Sequence, residues 1–394
     1  VALVLSGLAP WAMILREEAR GPDDVAAAAP PAAAQPVAAA SASPPSPAPA
    51  EASAHDAIEP RWGRIERLAL RLEPAMGDIS SDVCVTMPRW RGAPADVDLA
   101  MRTAALDPAQ ARALAEGVRC DPRGCDVAPP LDLLGKLTRQ QRSGLYEHVL
   151  SSAAEPLFPI FRRRAVDADL WTRNAGLSAS TVQALDDLVF QRGDLVFLAD
   201  LPLLCSRTPS PSERARLVAA LARTPGLVAR VRVDASSDLD AVVRYWGRGG
   251  RALLGSLART PGGAAVDVMH LLPEQPRGRL YAYPRAGEPS YDCHWTSMNF
   301  DAPKPDARML DERAVMAAVA AEYREVEGQE PDLGDVLLFT AADGSVLHSA
   351  VHVVEDIVYT KNGRGHWSPW VLSTRSEVQA IYFRTAKLRV FRHR

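Results

Sequence analysis

The chain has 394 residues, too many for one ordinary core, and a prior of roughly 100–200 residues per domain predicts two folded units plus additional segments. With 45 Lys+Arg against 48 Asp+Glu the net charge is −3, which excludes a long-range field able to gather nucleic acid or coat an anionic membrane. The five cysteines are Cys84, Cys120, Cys125, Cys205 and Cys293, an odd number that leaves one thiol over if the others pair.

Val1 to Leu15 carry no charge and include Trp11 and Met13; Arg16, Glu17, Glu18 and Arg20 close the run. This is shorter than the roughly 18 apolar residues of a membrane span and lacks the positive start of a signal peptide. The uncharged run closed by charge is nevertheless read as a targeting or membrane-anchor segment over residues 1–22. From Val25 to Ala50 only Ala, Pro, Ser, Gln and Val occur, a composition that cannot offset the ordering entropy of folding. Residues 23–57 read as a disordered tether, extended at roughly 3 Å per residue. An apolar head, a Pro/Ala tether and a folded body suggest an exported or membrane-anchored protein of the cell envelope or periplasm.

Residues 58–275 carry recurring helix starts and are expected to form a mostly helical domain. Asp107 with Pro108 and Gln110, Thr138 with Gln141, Ser180 with Gln183, and Ser210 with Pro211 and Glu213 each follow the capping-box pattern. The polar segment at Thr138 predicts a break between two helices over Leu134 to Leu150. The hexapeptide Leu-Ala-Arg-Thr-Pro-Gly occurs at Leu221–Gly226 and again at Leu257–Gly262, each time before strand-like residues, so two helix-turn-strand units are expected. Trp246-Gly-Arg-Gly-Gly250 follows a helical run at Asp238–Tyr245 and reads as a helix stop rather than a phosphate cradle. Arg162, Arg163 and Arg164 read as a solvated turn. Cys120 and Cys125 flank a Pro-Arg-Gly turn; with no second Cys pair or nearby His they suit a disulfide better than a metal. Cys84 with Cys205 is the candidate second bridge, although spacing does not fix connectivity.

From about Arg279 the residue types change. Tyr281 to Tyr291 is turn-rich and leads into Asp292-Cys293 and a run able to start a helix, where the helix dipole favours thiolate. Gly334–Phe339, Leu347–Val354 and Ile357–Thr360 have strand patterns, with turns at Asp343-Gly344 and Asn362-Gly363. An antiparallel sheet packed on the cysteine helix would bring His348 to Cys293, with Thr360 or Asn362 to orient the imidazole. His294 is a second base candidate, less suited because adjacent side chains rarely face each other. His348 and His352 lie four apart on one strand, roughly 13 Å, too far to share an ion. The basic end, Arg384, Lys387, Arg389, Arg392 and Arg394, alternates with Leu388 and Val390 as a solvated edge strand would.

Tyr283, Asp292-Cys293, Gly334-Asp335 and His348, with a polar third position near Thr360, resemble in order the NlpC-type cell-wall endopeptidases of the papain-like superfamily. The resemblance covers about 115 residues, and the chain departs from it where Cys293-His-Trp-Thr replaces the usual Asp-Cys-Ser-Gly continuation. It implies an α+β fold over 276–394 with the cysteine helix on an antiparallel sheet. It also implies hydrolysis of an amide, with peptidoglycan stem peptides or another peptide as substrate. Cys293 would be nucleophile and His348 base, Tyr283, Asp292 and His294 supporting, with no metal or organic cofactor. The competing expectations are a non-catalytic envelope module that keeps the fold, with Cys293 buried or disulfide-bonded, and an intracellular amidase or acyltransferase.

Overall fold

Helix starts follow the side chains that cap them. The computed structural model describes residues 60–394 except 75–80, 123, 152–157, 209, 248–249, 286, 343 and 382–385. The expected head and tether lie outside the described residues. Asp107 accepts from the backbone N–H of Ala109 and Gln110 at the start of helix Pro108–Glu116. Thr138 and Gln141 cap each other reciprocally before Arg139–Leu145, which is separated from Leu131–Leu134 as the polar break predicts. Helix Ala179–Leu188 is capped by Ser178, not Ser180, because Ser178 Oγ accepts from Thr181 N. Ser210 caps Pro211–Leu221, but Glu213 crosses to the Ser178 backbone N–H at 2.6 Å, so one carboxylate joins two helix starts.

The protein is mixed α and β with antiparallel sheets. Its strands are β1 (Arg64–Leu72), β2 (Trp90–Gly92), β3 (Val118–Asp121), β4 (Gly124–Val127), β5 (Phe161–Arg164), β6 (Phe190–Arg192), β7 (Leu195–Leu198), β8 (Thr224–Val233), β9 (Ala264–Asp267), β10 (Tyr323–Glu325), β11 (Val336–Thr340), β12 (Val346–Val354), β13 (Ile357–Lys361), β14 (Trp370–Thr374) and β15 (Lys387–His393). Three small sheets, β1-β8-β9, β2-β4-β3 and β5-β7-β6, run through the region expected to be mostly helical. Most of these strands are three or four residues long, too short to show a period-two pattern against a helical background. The fourth sheet has the order β10-β15-β11-β12-β13-β14.

Both copies of the hexapeptide end a helix and lead into a strand, and those strands, β8 and β9, pair antiparallel. β1 pairs along its whole length with β8, from Arg64 opposite Arg232 to Leu72 opposite Thr224. Everything between them is enclosed by that pairing. One apolar core runs from Val83 to Ala222 and fills this inserted lobe. A second joins Trp62, β8, β9 and helix Leu239–Trp246 to Trp295, Phe300, β12, β13 and β14. This second core crosses the 275/276 position at which the sequence suggests a boundary. Residues 58–394 form one compact unit.

Two local expectations change, and a third stands. β15 is not an edge strand: it lies between β10 and β11, and its charges are matched by Arg389 with Glu325 and Arg392 with Asp335, at 2.6 Å each. Arg162, Arg163 and Arg164 form β5 rather than a solvated turn, because Phe161 and Arg163 face inward against Trp367 and Trp171. Gly247, at φ 87°, stops helix Leu239–Trp246, as the sequence suggests. Among the described residues no helix is long and apolar enough to cross a membrane.

Cys84 is bonded to Cys205 and Cys120 to Cys125. The first closes a loop 121 residues long and the second a loop of five. Since the stabilisation grows with the logarithm of loop length, replacing Cys84 and Cys205 by serine should cost about 2–3 kcal/mol more than replacing Cys120 and Cys125. Urea midpoints of the two double variants check this ordering.

Candidate active site

Cys293 belongs to neither disulfide and is the first residue of a short helix, Cys293–Met298. Asp292, only 3% exposed, fixes that start: one carboxylate oxygen accepts from the Trp295 N–H at 2.8 Å. Its other oxygen accepts from two guanidinium nitrogens of Arg364, at 3.0 and 3.1 Å. Thr296 donates to the Asp292 carbonyl and accepts from the Trp370 indole, pinning the first turn to β14. The Arg279 guanidinium lies over the rings of Tyr291, Trp295 and Trp370, all within 5.2 Å of the ring centres, and pairs with Glu288. Desolvated cation–π contacts of this kind are worth about 2 kcal/mol. The cysteine helix is thus held from its cap, its first turn and its flanking rings.

The helix packs on β12 and β13. His294 Nδ1 lies 3.0 Å from the Ser349 hydroxyl of β12, which commits the side chain next to Cys293 to the sheet. His348, on the same strand, is fully buried, with its ring against Phe339. Its Nε2 lies 2.8 Å from Thr360 Oγ1 on β13. The Thr360 hydroxyl also lies 3.5 Å from the Ser349 carbonyl oxygen, so it bridges β12 and the imidazole. Burial holds the His348 imidazole well below the usual histidine range, and the fields of His294 and Arg162 push it the same way. At neutral pH the ring is uncharged.

Of the two orienting candidates, Thr360 makes the bond to His348. Asn362 lines a neighbouring cavity, and its buried Oδ1 has no hydrogen-bond partner among the described residues. Tyr283 donates to the carbonyls of Leu72 and Ala222, at 3.3 and 3.1 Å, and so ties the neck of the inserted lobe. Asp335, of the Gly-Asp motif, is paired with Arg392 and accepts from the Asp332 N–H, which anchors the start of β11. His352 lies 3.3 Å from the Tyr245 hydroxyl. Among the described residues no group of His, Cys, Asp and Glu side chains could hold a metal ion.

Sequence reasoning misses Arg364, Lys361 and Ser349. Lys361 is fully buried and donates to the carbonyls of Gly363 and Gly365, bending the loop that presents Arg364 to Asp292. The Asn-Gly turn marks this loop in the sequence, but nothing there signals that its arginine returns to the cysteine helix.

Beside these residues, between the inserted lobe and the sheet, lies a cavity of about 660 Å³. Ser290 and Arg364 reach it from the cysteine and third-position loops, and β5 forms its opposite wall. No family model, curated protein or solved structure matches the chain.

The two buried histidines predict how stability depends on pH. Burial lowers His352 to about 4, and the nearby Arg375 acts in the same direction. Between pH 6.5 and 4 the unfolded chain binds protons that the folded protein does not. Stability is therefore fully present above about 6.5 and falls with pH, by roughly 3 kcal/mol from His352. Urea midpoints at pH 7 and 4.5 should show this loss, and His352→Gln should flatten the slope.

Proposed function

We propose that the residues from about Arg279 form a papain-like cysteine hydrolase of NlpC type that splits an amide bond, with Cys293 as nucleophile and His348 as base. The observation that supports this best is the Nε2 bond from His348 to Thr360. It orients the ring on the strand against which the cysteine helix packs, and in the proposed cycle Nε2 carries the proton toward Thr360 and Nδ1 is the basic nitrogen. Cys293 Sγ attacks the amide carbonyl carbon and its proton passes to His348 Nδ1. The tetrahedral oxyanion is met by the Cys293 backbone N–H at the helix start. The C–N bond breaks as His348 protonates the leaving amine, giving a thioester. Water, deprotonated by His348, then releases the acid and restores the thiol. The neutral imidazole suits this cycle, since it accepts the proton only as the thiol attacks.

Peptidoglycan stem peptides are the proposed substrate and the cell envelope the proposed location. The two disulfides fit an oxidising compartment, and the apolar head and tether of the sequence fit export.

A second reading has its own support. Cys293 is 5% exposed and His348 0%, which is what a non-catalytic envelope module keeping the fold would show. Alkylation by iodoacetamide separates the two. In a hydrolase, wild type should label at pH 7 at least about 100-fold faster than His348→Ala, as expected for loss of a general base. Thr360→Val should fall between them, because the ring stays but its orientation loosens. Equal, slow labelling of all three would leave the binding module as the account of this site.

A further inference from the structure

We infer that the cavity between the inserted lobe and the sheet is a binding site for an organic carboxylate with an apolar body. Five arginines line it, Arg162, Arg163 and Arg164 from β5 with Arg223 and Arg364, against two carboxylates, Asp167 and Glu377. In a chain whose net charge is −3 this is a local reversal of sign. The carboxylates are already engaged. Glu377 accepts from Ser373 and from the Thr374 N–H, and Asp167 lies 3.9 Å from Arg164. Arg364 is paired with Asp292 and Arg223 with Glu73.

Arg163 is left under-compensated. It is 6% exposed, and one of its terminal nitrogens donates to the Arg223 carbonyl. Its Nε and other terminal nitrogen are buried with no hydrogen-bond partner among the described residues. Desolvation weakens its hold on the proton, to a pKa of about 10; Asp167 acts against this, and Arg71 and Arg223 act with it. The Arg163 guanidinium lies over the Trp171 ring, but its unpaired donors remain unfavourably buried unless an anion arrives. Arg162, on the same wall, also acts on the buried His348.

The rest of the wall selects the class of anion. Phe158, Ile160, Phe161, Leu221, Leu347 and Ile381 line the cavity, so a fully hydrated inorganic anion would leave most of this surface uncovered. A single carboxylate on an apolar residue matches both. If the amide-hydrolase reading holds, this carboxylate is one end of its substrate; binding itself does not depend on that reading.

The test is calorimetric titration of the full chain with N-acetyl-leucine and with its primary amide, which differ in charge but hardly in shape. The acid should bind at least about tenfold more tightly than the amide, as expected for a charge-assisted contact. Arg163→Met should erase that preference while melting no lower than wild type, because it removes a buried, incompletely paired charge. Equal binding of acid and amide by wild type, or no binding of the acid up to about 10 mM, overturns the inference. So does a full preference in folded Arg163→Met. The readout is heat of binding, so its failure is distinguishable from failure of the Cys293 labelling.

Discussion

The pairing of β1 with β8 is the constraint on which the remaining architecture rests. Nine residues of β1 lie opposite β8 in unbroken antiparallel register, although the two strands are separated in sequence by the entire inserted lobe. Closing such a loop costs entropy that rises only slowly with its length, so a lobe of this size can be held between two paired strands. At the neck, Tyr283 bonds to the carbonyls of Leu72 and Ala222, and Glu73 pairs with Arg223. β8 then packs on β14, which carries the tryptophan that holds the cysteine helix. The orientation of Cys293 is in this way coupled to a strand more than 200 positions earlier.

Around the cysteine, one carboxylate does two jobs. Asp292 caps the helix with one oxygen and binds Arg364 with the other, so the loop after β13 and the start of the helix share a partner. Lys361 keeps that loop bent from inside. His348 sits on the adjacent sheet with its ring against Thr360, held uncharged mainly by burial, with His294 and Arg162 acting in the same direction. An imidazole in that state can take a proton from a thiol but does not hold a thiolate in advance.

The strands β11 to β13 were legible in the sequence because alternation and Gly turns are local signals, and they emerge within one or two residues of the expected bounds. The caps at Asp107, Thr138 and Ser210 were legible for the same reason, since a hydroxyl or carboxylate bonds an amide only two or three residues on. What stayed hidden was non-local. β1 finds its partner far along the chain, β15 enters between two other strands, and Arg163 is buried against Trp171 from outside β5. The basic alternation of β15 looked solvent-facing because Glu325 and Asp335, which neutralise it, lie some 55 to 65 positions away. In the candidate site, Cys293, His348 and Thr360 were readable as residue types in order, whereas Arg364 and Lys361 act through a loop geometry that spacing does not encode.

The neck of the inserted lobe has an evolutionary meaning. Leu72 and Thr224 are register partners, so the lobe leaves and re-enters the body at one point. Its own core, from Val83 to Ala222, is stapled near both ends by Cys84–Cys205. A short turn from Leu72 to Thr224 would close β1 onto β8 in its place. Because β5 forms one wall of the cavity, each exchange of the lobe would bring a new wall to an unchanged sheet. The lining of the cavity would then change by recombination at a single hairpin, with the sheet left where it is.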